Sequence, residues 1–269
     1  MPVYWFALSQ LVHINWWRAV IIFIILHILV YPASNGYNSY MDRDETPIGG
    51  LKNPMQPTKQ LFNMTVAMDV IAVTISFFIS IYFALGIAFY IMASRAYSYR
   101  KIRLKRYPII GYATVIIFQG AVIYWLVYHG SSEALYMKAS VSGMIAASLL
   151  IGGFYPLTQI YQHKADATDG VETISYKLGY RGTFVFCASV YSVAMLFLGH
   201  TFLSSLMFTQ FLIILLFFLP ILVYFFWWAA KVWKHTDAAD FKNTMRMNIL
   251  ASTCTNLGFI TVLILNHLE

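Results

Sequence analysis

Residues 62–96 read FNMTVAMDVIAVTISFFISIYFALGIAFYIMASRA, an apolar run whose division decides the fold. A bilayer-crossing helix needs about 20 apolar residues, so the run suits two slightly short helices with a tight turn near Ser80. With that division the chain holds eight apolar spans, at about 16–34, 62–79, 81–96, 109–128, 139–160, 183–199, 206–228 and 248–267. Lipid offers open backbone groups no partner, so the spans are helical. Residues 3–13 suit a short interfacial or partial extra helix.

The charge pattern supports this division independently. Of the 18 Lys and Arg, 16 fall on one face if the eight spans alternate. They are Arg43, Lys52 and Lys59, then Arg95, Arg100, Lys101, Arg103, Lys105 and Arg106, then Lys164, Lys177 and Arg181, then Lys231, Lys234, Lys242 and Arg246. Only Arg18 and Lys138 lie elsewhere. One long helix over 62–96 would scatter these charges across both faces. The positive-inside rule places the basic loops in the cytoplasm.

Composition agrees. The chain has 269 residues, 59% hydrophobic, 17% aromatic and 11% charged, against about 25% charged in soluble domains. The expected class is an all-α polytopic membrane bundle, integral to a bacterial cytoplasmic membrane. The net charge of +7 invites a nucleic-acid reading, which its confinement to membrane-end loops argues against. Cys187 and Cys254 fall in spans, so no disulfide or thiolate metal site is implied. The start shows no charged n-region or cleavage site, so no signal peptide is expected.

Two acidic stretches sit at span ends on the basic face. In the first, Asn35, Asn38, Asp42 and Glu45 form one helical stripe if the helix continues to Pro47, Gly49 and Gly50. In the second, Asp166, Asp169 and Glu172 recur every third residue, with Gln162 one turn earlier. Amide and carboxylate oxygens suit Mg²⁺, which combines a few carboxylates with water and substrate phosphate. Each stretch alone also reads as a solvated helix end or polar loop. Between them, Arg103 and Lys105 stand before Pro108, placed to reach a phosphate; the other basic residues there read as membrane anchors.

Asn38-xxx-Asp42, the loop Tyr97-Ser…Arg103-Leu-Lys105-Arg106-x-Pro108, and Tyr155-Pro-Leu-Thr-Gln-Ile-Tyr161…Asp166…Gly170-x-x-Thr173…Leu178-Gly179 together resemble the UbiA-type intramembrane prenyltransferases over roughly residues 20–265. The resemblance implies one domain over residues 1–269, with eight to nine helices around a central cavity. It also implies Mg²⁺-dependent transfer of a polyprenyl group from its pyrophosphate to a hydrophobic acceptor, often aromatic. Asp42 and Asp166 would be the catalytic metal ligands, joined by Glu45 and Asp169. Asn38, Arg103, Lys105 and Lys164 would contact substrate.

The chain departs from the family pattern at Thr46 and Gln162, where carboxylates are usual, and in that roughly one helix is expected to be missing before the span leading to Asn38. Glu45 and Asp169, each three residues after a retained Asp, would compensate. The rival is a catalytically degenerate homologue that binds lipid or assembles with a partner. A secondary transporter fits less well, because transporters place polar ligands at the bilayer midplane.

Single polar residues complete the reading. Asp69, inside a span, is either functional or hydrogen-bonded to Asn63 or backbone. Gln119 and Asn256 are expected to join helices. His27 and His200 lack a partner histidine one turn away, which argues against metal ligation.

Overall fold

The computed structural model describes residues 2–43, 48 and 51–268, with no account of the Lys164 and Leu268 side chains. The helices are α1 (Pro2–Ser9), α2 (Trp16–Asp42), α3 (Lys59–Ser76), α4 (Ile81–Ser98), α5 (Pro108–Ser131), α6 (Val141–Gln162), α7 (His163–Thr168), α8 (Ile174–Ser204), α9 (Phe208–Lys234) and α10 (Phe241–Leu268). Among the described residues there is no β-strand. Seven of these helices are long and apolar enough to cross a membrane. The eighth long helix, α3, has 18 residues but carries Lys59, Gln60, Asn63 and Asp69.

The 62–96 run divides where expected. α3 ends at Ser76 and α4 begins after Ser80, whose hydroxyl accepts the Phe83 N–H at 3.0 Å. A Ser at this cap position satisfies one of the first donors of the new helix. The His129 ring holds the same hydroxyl at 2.8 Å, tying the turn to the end of α5.

Two helices loosen for identifiable reasons. Residues Ile25–Val30 of α2 wind as a π-helix just before Pro32. Proline lacks an N–H and its ring crowds the carbonyl four residues back, and the wider turn accommodates both. Residues Ile117–Val122 of α5 do the same where the Ser148 hydroxyl enters the ladder and accepts the Ala121 N–H at 3.0 Å. A Cβ on Gly120 would stand 2.3 Å from the Ser148 Cα, so only glycine allows α5 and α6 this approach.

α1 is a partial helix inside the bundle, not an interfacial one. Phe6, Ala7 and Leu8 are fully buried, and the Phe6 ring stacks on Phe259 of α10 at 4.7 Å. The Asn266 amide donates to the Ser9 carbonyl at 2.9 Å, closing the α1 C-terminus. Asn256 does not join helices through its carbonyl oxygen, which is buried without a hydrogen-bond partner.

Candidate active site at the basic end of the bundle

The C-terminus of α2, the loop after α4 and the 162–174 segment meet at one end of the bundle. There a cavity of about 630 Å³ opens between α2, α4, α5, α6 and α7. Asn35, Asn38 and Asp42 line one wall, and Gln162, Asp166 and Asp169 line another. The two acidic stretches, far apart in sequence, therefore face one space.

The first wall ends sooner than the sequence suggested. α2 stops at Asp42, and Arg43 turns left-handed at φ 56° with its N–H on the Ser39 carbonyl. Arg100 Nε donates to the Met41 carbonyl at 2.6 Å. That bond satisfies an orphan C-terminal carbonyl and attracts a cation to the negative helix end. The helical stripe thus stops at Asp42, and Glu45, Asp44 and Thr46 lie outside the described residues.

The 99–107 loop folds inward onto this wall. The Tyr99 carbonyl accepts the Ile102 and Arg103 N–H groups at 3.0 and 2.7 Å, and Arg103 itself is left-handed at φ 49°. A Cβ on Gly111 would stand 3.0 Å from the Lys105 Cα, so the loop packs directly on the start of α5. Lys105 and Arg103 are buried as a result. Lys105 Nζ pairs with Asp42 Oδ2, and Arg103 pairs with Asp169 while lying 3.6 Å from Asp42 Oδ1. One guanidinium bridges both acidic stretches. The cations expected to hold phosphate pair with carboxylates here, because buried charges need counterions.

The second wall is built by a helix stop. α7 closes with Gly170 left-handed at φ 67°, the Val171 N–H on the Asp166 carbonyl at 2.8 Å and the Gly170 N–H on Ala167 at 3.2 Å. This Schellman pair of bonds turns Asp169 toward Arg103. Behind it, the buried His163 ring stacks on Tyr180 at 4.9 Å and meets the Ser175 hydroxyl at 2.8 Å, anchoring α7 to α8. Burial pushes the His163 pKa down to about 4, so the ring is neutral. Glu172 stays outside the cavity, exposed and 3.5 Å from Lys177. The Lys164 side chain lies outside the description.

Several residues enter the site to which the sequence reading gave no role there. Tyr97 and Tyr155 line the cavity with their hydroxyls hydrogen-bonded to each other. Deeper lie Tyr90, Val115, Phe118 and Gln119, with Gln119 in hydrogen-bonding reach of the Tyr90 hydroxyl. The signal was a stripe on α4, Tyr90, Ala93, Ser94, Tyr97 and Ser98, at helical spacing. Ser98 donates to Asn38 Oδ1 at 2.7 Å and so orients that amide. Asp69 is a brace instead: it pairs with Arg95, whose guanidinium also contacts Thr65 at 3.2 Å and lies 3.9 Å over the Tyr37 ring. Its partner is neither Asn63 nor backbone, since α3 and α4 present the two charges to each other.

Among the described residues no three His, Cys, Asp or Glu side chains form a ready-made metal cage. The donor set nevertheless fits Mg²⁺, which is usually bound by one or two carboxylates plus water and substrate phosphate. Asp42 Oδ1 is a buried oxygen without a hydrogen-bond partner, on a side chain that lines the cavity.

Fold and cavity together define a helical intramembrane protein with two facing acidic segments and a cationic loop over an aromatic chamber. The UbiA prenyltransferase family matches over residues 1–250, and the chain belongs to that family. Among solved structures, a UbiA homologue from Archaeoglobus fulgidus bound to GPP and Mg²⁺ is similar at TM-score 0.66 and 15% identity, covering 97% of this chain and 94% of that one. The same homologue bound to DMAPP and Mg²⁺ gives 0.62 and 14%, with 97% and 94% covered. A structure concerning digeranylgeranylglyceryl phosphate synthase gives 0.64 and 16%, with 98% and 93% covered. These likenesses establish the fold. No curated protein matches the chain in sequence.

Proposed function

We propose that this chain transfers a prenyl group from its pyrophosphate to a hydrophobic acceptor within the membrane. The observation that carries the reading is the ion-pair cluster Asp42–Lys105 and Asp169–Arg103–Asp42 at the mouth of an aromatic-walled cavity. Asp42 and Asp166, helped by Asp169 and by Glu45, would hold Mg²⁺. When bound, the ion supplies positive charge that stabilises the departing pyrophosphate.

The chain's own residues would do the rest. Arg103 and Lys105 exchange carboxylate for phosphate oxygens, and Asn38 and Lys164 add contacts. The allylic C–O bond breaks with its electron pair leaving on pyrophosphate. The acceptor forms the new bond to that carbon and loses a proton. The faces of Tyr97, Tyr155 and Phe118 would stabilise the developing allylic charge, and the deeper apolar wall would hold the chain, at roughly 0.8 kcal/mol per buried methylene. The basic loops would face the cytoplasm.

Gln162, a neutral amide lining the cavity where the family pattern has a carboxylate, supports a second reading. There the protein is a degenerate homologue that binds lipid or a partner without turnover. Equilibrium binding of radiolabelled geranyl and farnesyl pyrophosphate to purified protein separates the two. Binding that needs Mg²⁺ supports the transferase; equal binding with Mg²⁺ and with a chelator removes it.

A further inference from the structure

A second cavity of about 380 Å³ lies against the outer side of the α2 C-terminus, lined by Tyr40, Met41, Arg43, Gln56, Pro57, Lys59 and Arg100. Three of these side chains are cationic and all three are exposed. Among the described residues none of them forms a salt bridge with a carboxylate. The bond from Arg100 Nε to the Met41 carbonyl holds that guanidinium against the cavity.

The local electrostatics are unbalanced. Lys59 is the first residue of α3, at the positive end of an 18-residue helix with no acid in its first turn and no side-chain cap from Thr58. A cation there is repelled by the helix dipole, and Arg43 and Arg100 add to the repulsion. An anion with several oxygens would reverse all of these terms. The connection beside it also exposes apolar side chains, Leu51 at 56% and Met55 at 91%. Exposed apolar groups beside cations at the end of a membrane bundle mark the level of lipid headgroups.

We propose that this cavity, which shares Arg43 with the site between the acidic segments but has Lys59 and Arg100 to itself, binds a phosphate group. The adjoining Leu51 and Met55 favour the headgroup of an anionic phospholipid as its source; a soluble phosphate would use the same three cations.

The test uses purified full-length protein in neutral detergent, titrated with short-chain phosphatidylglycerol, short-chain phosphatidylcholine or inorganic phosphate, with the thermal midpoint as readout. Lys59 belongs to this cavity and not to the other. Each surface charge contributes about 1 kcal/mol to attraction of an anionic lipid. Lys59→Gln should therefore raise the phosphatidylglycerol concentration needed for half-maximal stabilisation roughly fivefold, and Lys59→Glu roughly 30-fold. Lys52→Glu, an equal change on the same connection outside the cavity, should leave the response unchanged. Stabilisation by inorganic phosphate with the same Lys59 dependence would support the site and assign it to a soluble phosphate. An equal response of wild type, Lys59→Glu and Lys52→Glu would overturn the proposal, since the cations would then act only as diffuse charge. Lys59 is exposed at a helix start, so both substitutions leave the core packing intact.

Discussion

Lys105→Met tests whether the cation cluster both holds the site together and serves the substrate. Lys105 and Asp42 are 9% and 11% exposed at their side chains, so the change strands a largely buried carboxylate. Removing one partner of a buried pair costs about 3–5 kcal/mol. Arg103 remains 3.6 Å from the other Asp42 oxygen, and water reaches the cavity, which reduces the expected loss to about 2–3 kcal/mol. For a chain of this size that lowers the thermal midpoint by roughly 5–10 °C. Mg²⁺ alone should restore more of the midpoint in the variant than in wild type, because it no longer competes with Lys105 for Asp42. Donor binding should weaken by about 10- to 150-fold, for one lost charge-assisted phosphate contact of about 1.5–3 kcal/mol. Adding Asp42→Asn should recover most of the midpoint, since no stranded charge remains, without recovering Mg²⁺-dependent binding. The assays are thermal unfolding in detergent and equilibrium binding of geranyl pyrophosphate. A single variant with wild-type midpoint and wild-type affinity would refute the reasoning at both ends.

Three further outcomes follow from the site. Asp166→Asn and Asp169→Asn should each weaken Mg²⁺-dependent donor binding at least tenfold, and Asp169→Asn should also lower the midpoint because buried Arg103 loses its direct carboxylate partner; Glu45→Gln should weaken binding likewise if it replaces the carboxylate absent at Thr46, and binding indifferent to Glu45 and Asp169 would discard compensation while keeping the enzyme. His163 gives a pH dependence whose sign is fixed: its folded pKa of about 4 lies below the ordinary 6.5, so the unfolded chain takes up the proton first. Its contribution, on the order of 3 kcal/mol, is full above pH 6.5 and lost as pH falls toward 4; midpoints measured across that window should flatten in His163→Phe, and an unchanged slope would reject the buried neutral ring. Cysteines placed at Lys52, Lys101 and Lys234 should resist an impermeant thiol reagent added outside intact cells, and ready labelling at any of them would invert the topology.

How much of this was legible depended on whether a residue's fate is local. The Ser80 turn was readable because its cap bond runs to Phe83, three residues away, and because the charge pattern supplied a second vote. The early end of α2 was not. Pro47, Gly49 and Gly50 marked a later stop, whereas a left-handed Arg43 and a carbonyl bond from Arg100 in the 99–107 loop set the actual one. Asp69 was ambiguous for the same reason: its partner Arg95 is brought close only by antiparallel packing of α3 on α4.

Arg103 shows why its nearness to the acidic walls was readable but its pairing was not. Spacing before Pro108 marked Arg103 and Lys105 as the members of the basic loop turned toward a ligand, and both do line up with the acidic walls. Their resting partners follow from desolvation, which no spacing reveals. Two buried cations at a membrane surface, and the carboxylates beside them, cannot stay unpaired. Each set therefore neutralises the other, and under the proposed function a metal–pyrophosphate pair would enter by exchanging partners, with the net charge of the site little changed. Such an exchange predicts that metal and donor bind cooperatively. Mg²⁺ alone must displace Lys105 and Arg103, and the donor alone must leave Asp42 and Asp169 bare, whereas together they satisfy all four groups. Titrating Mg²⁺ at several fixed donor concentrations should show each ligand tightening the other by the same factor. Independent affinities would mean that the ion pairs are not exchanged, and that Arg103 and Lys105 stay on their carboxylates throughout.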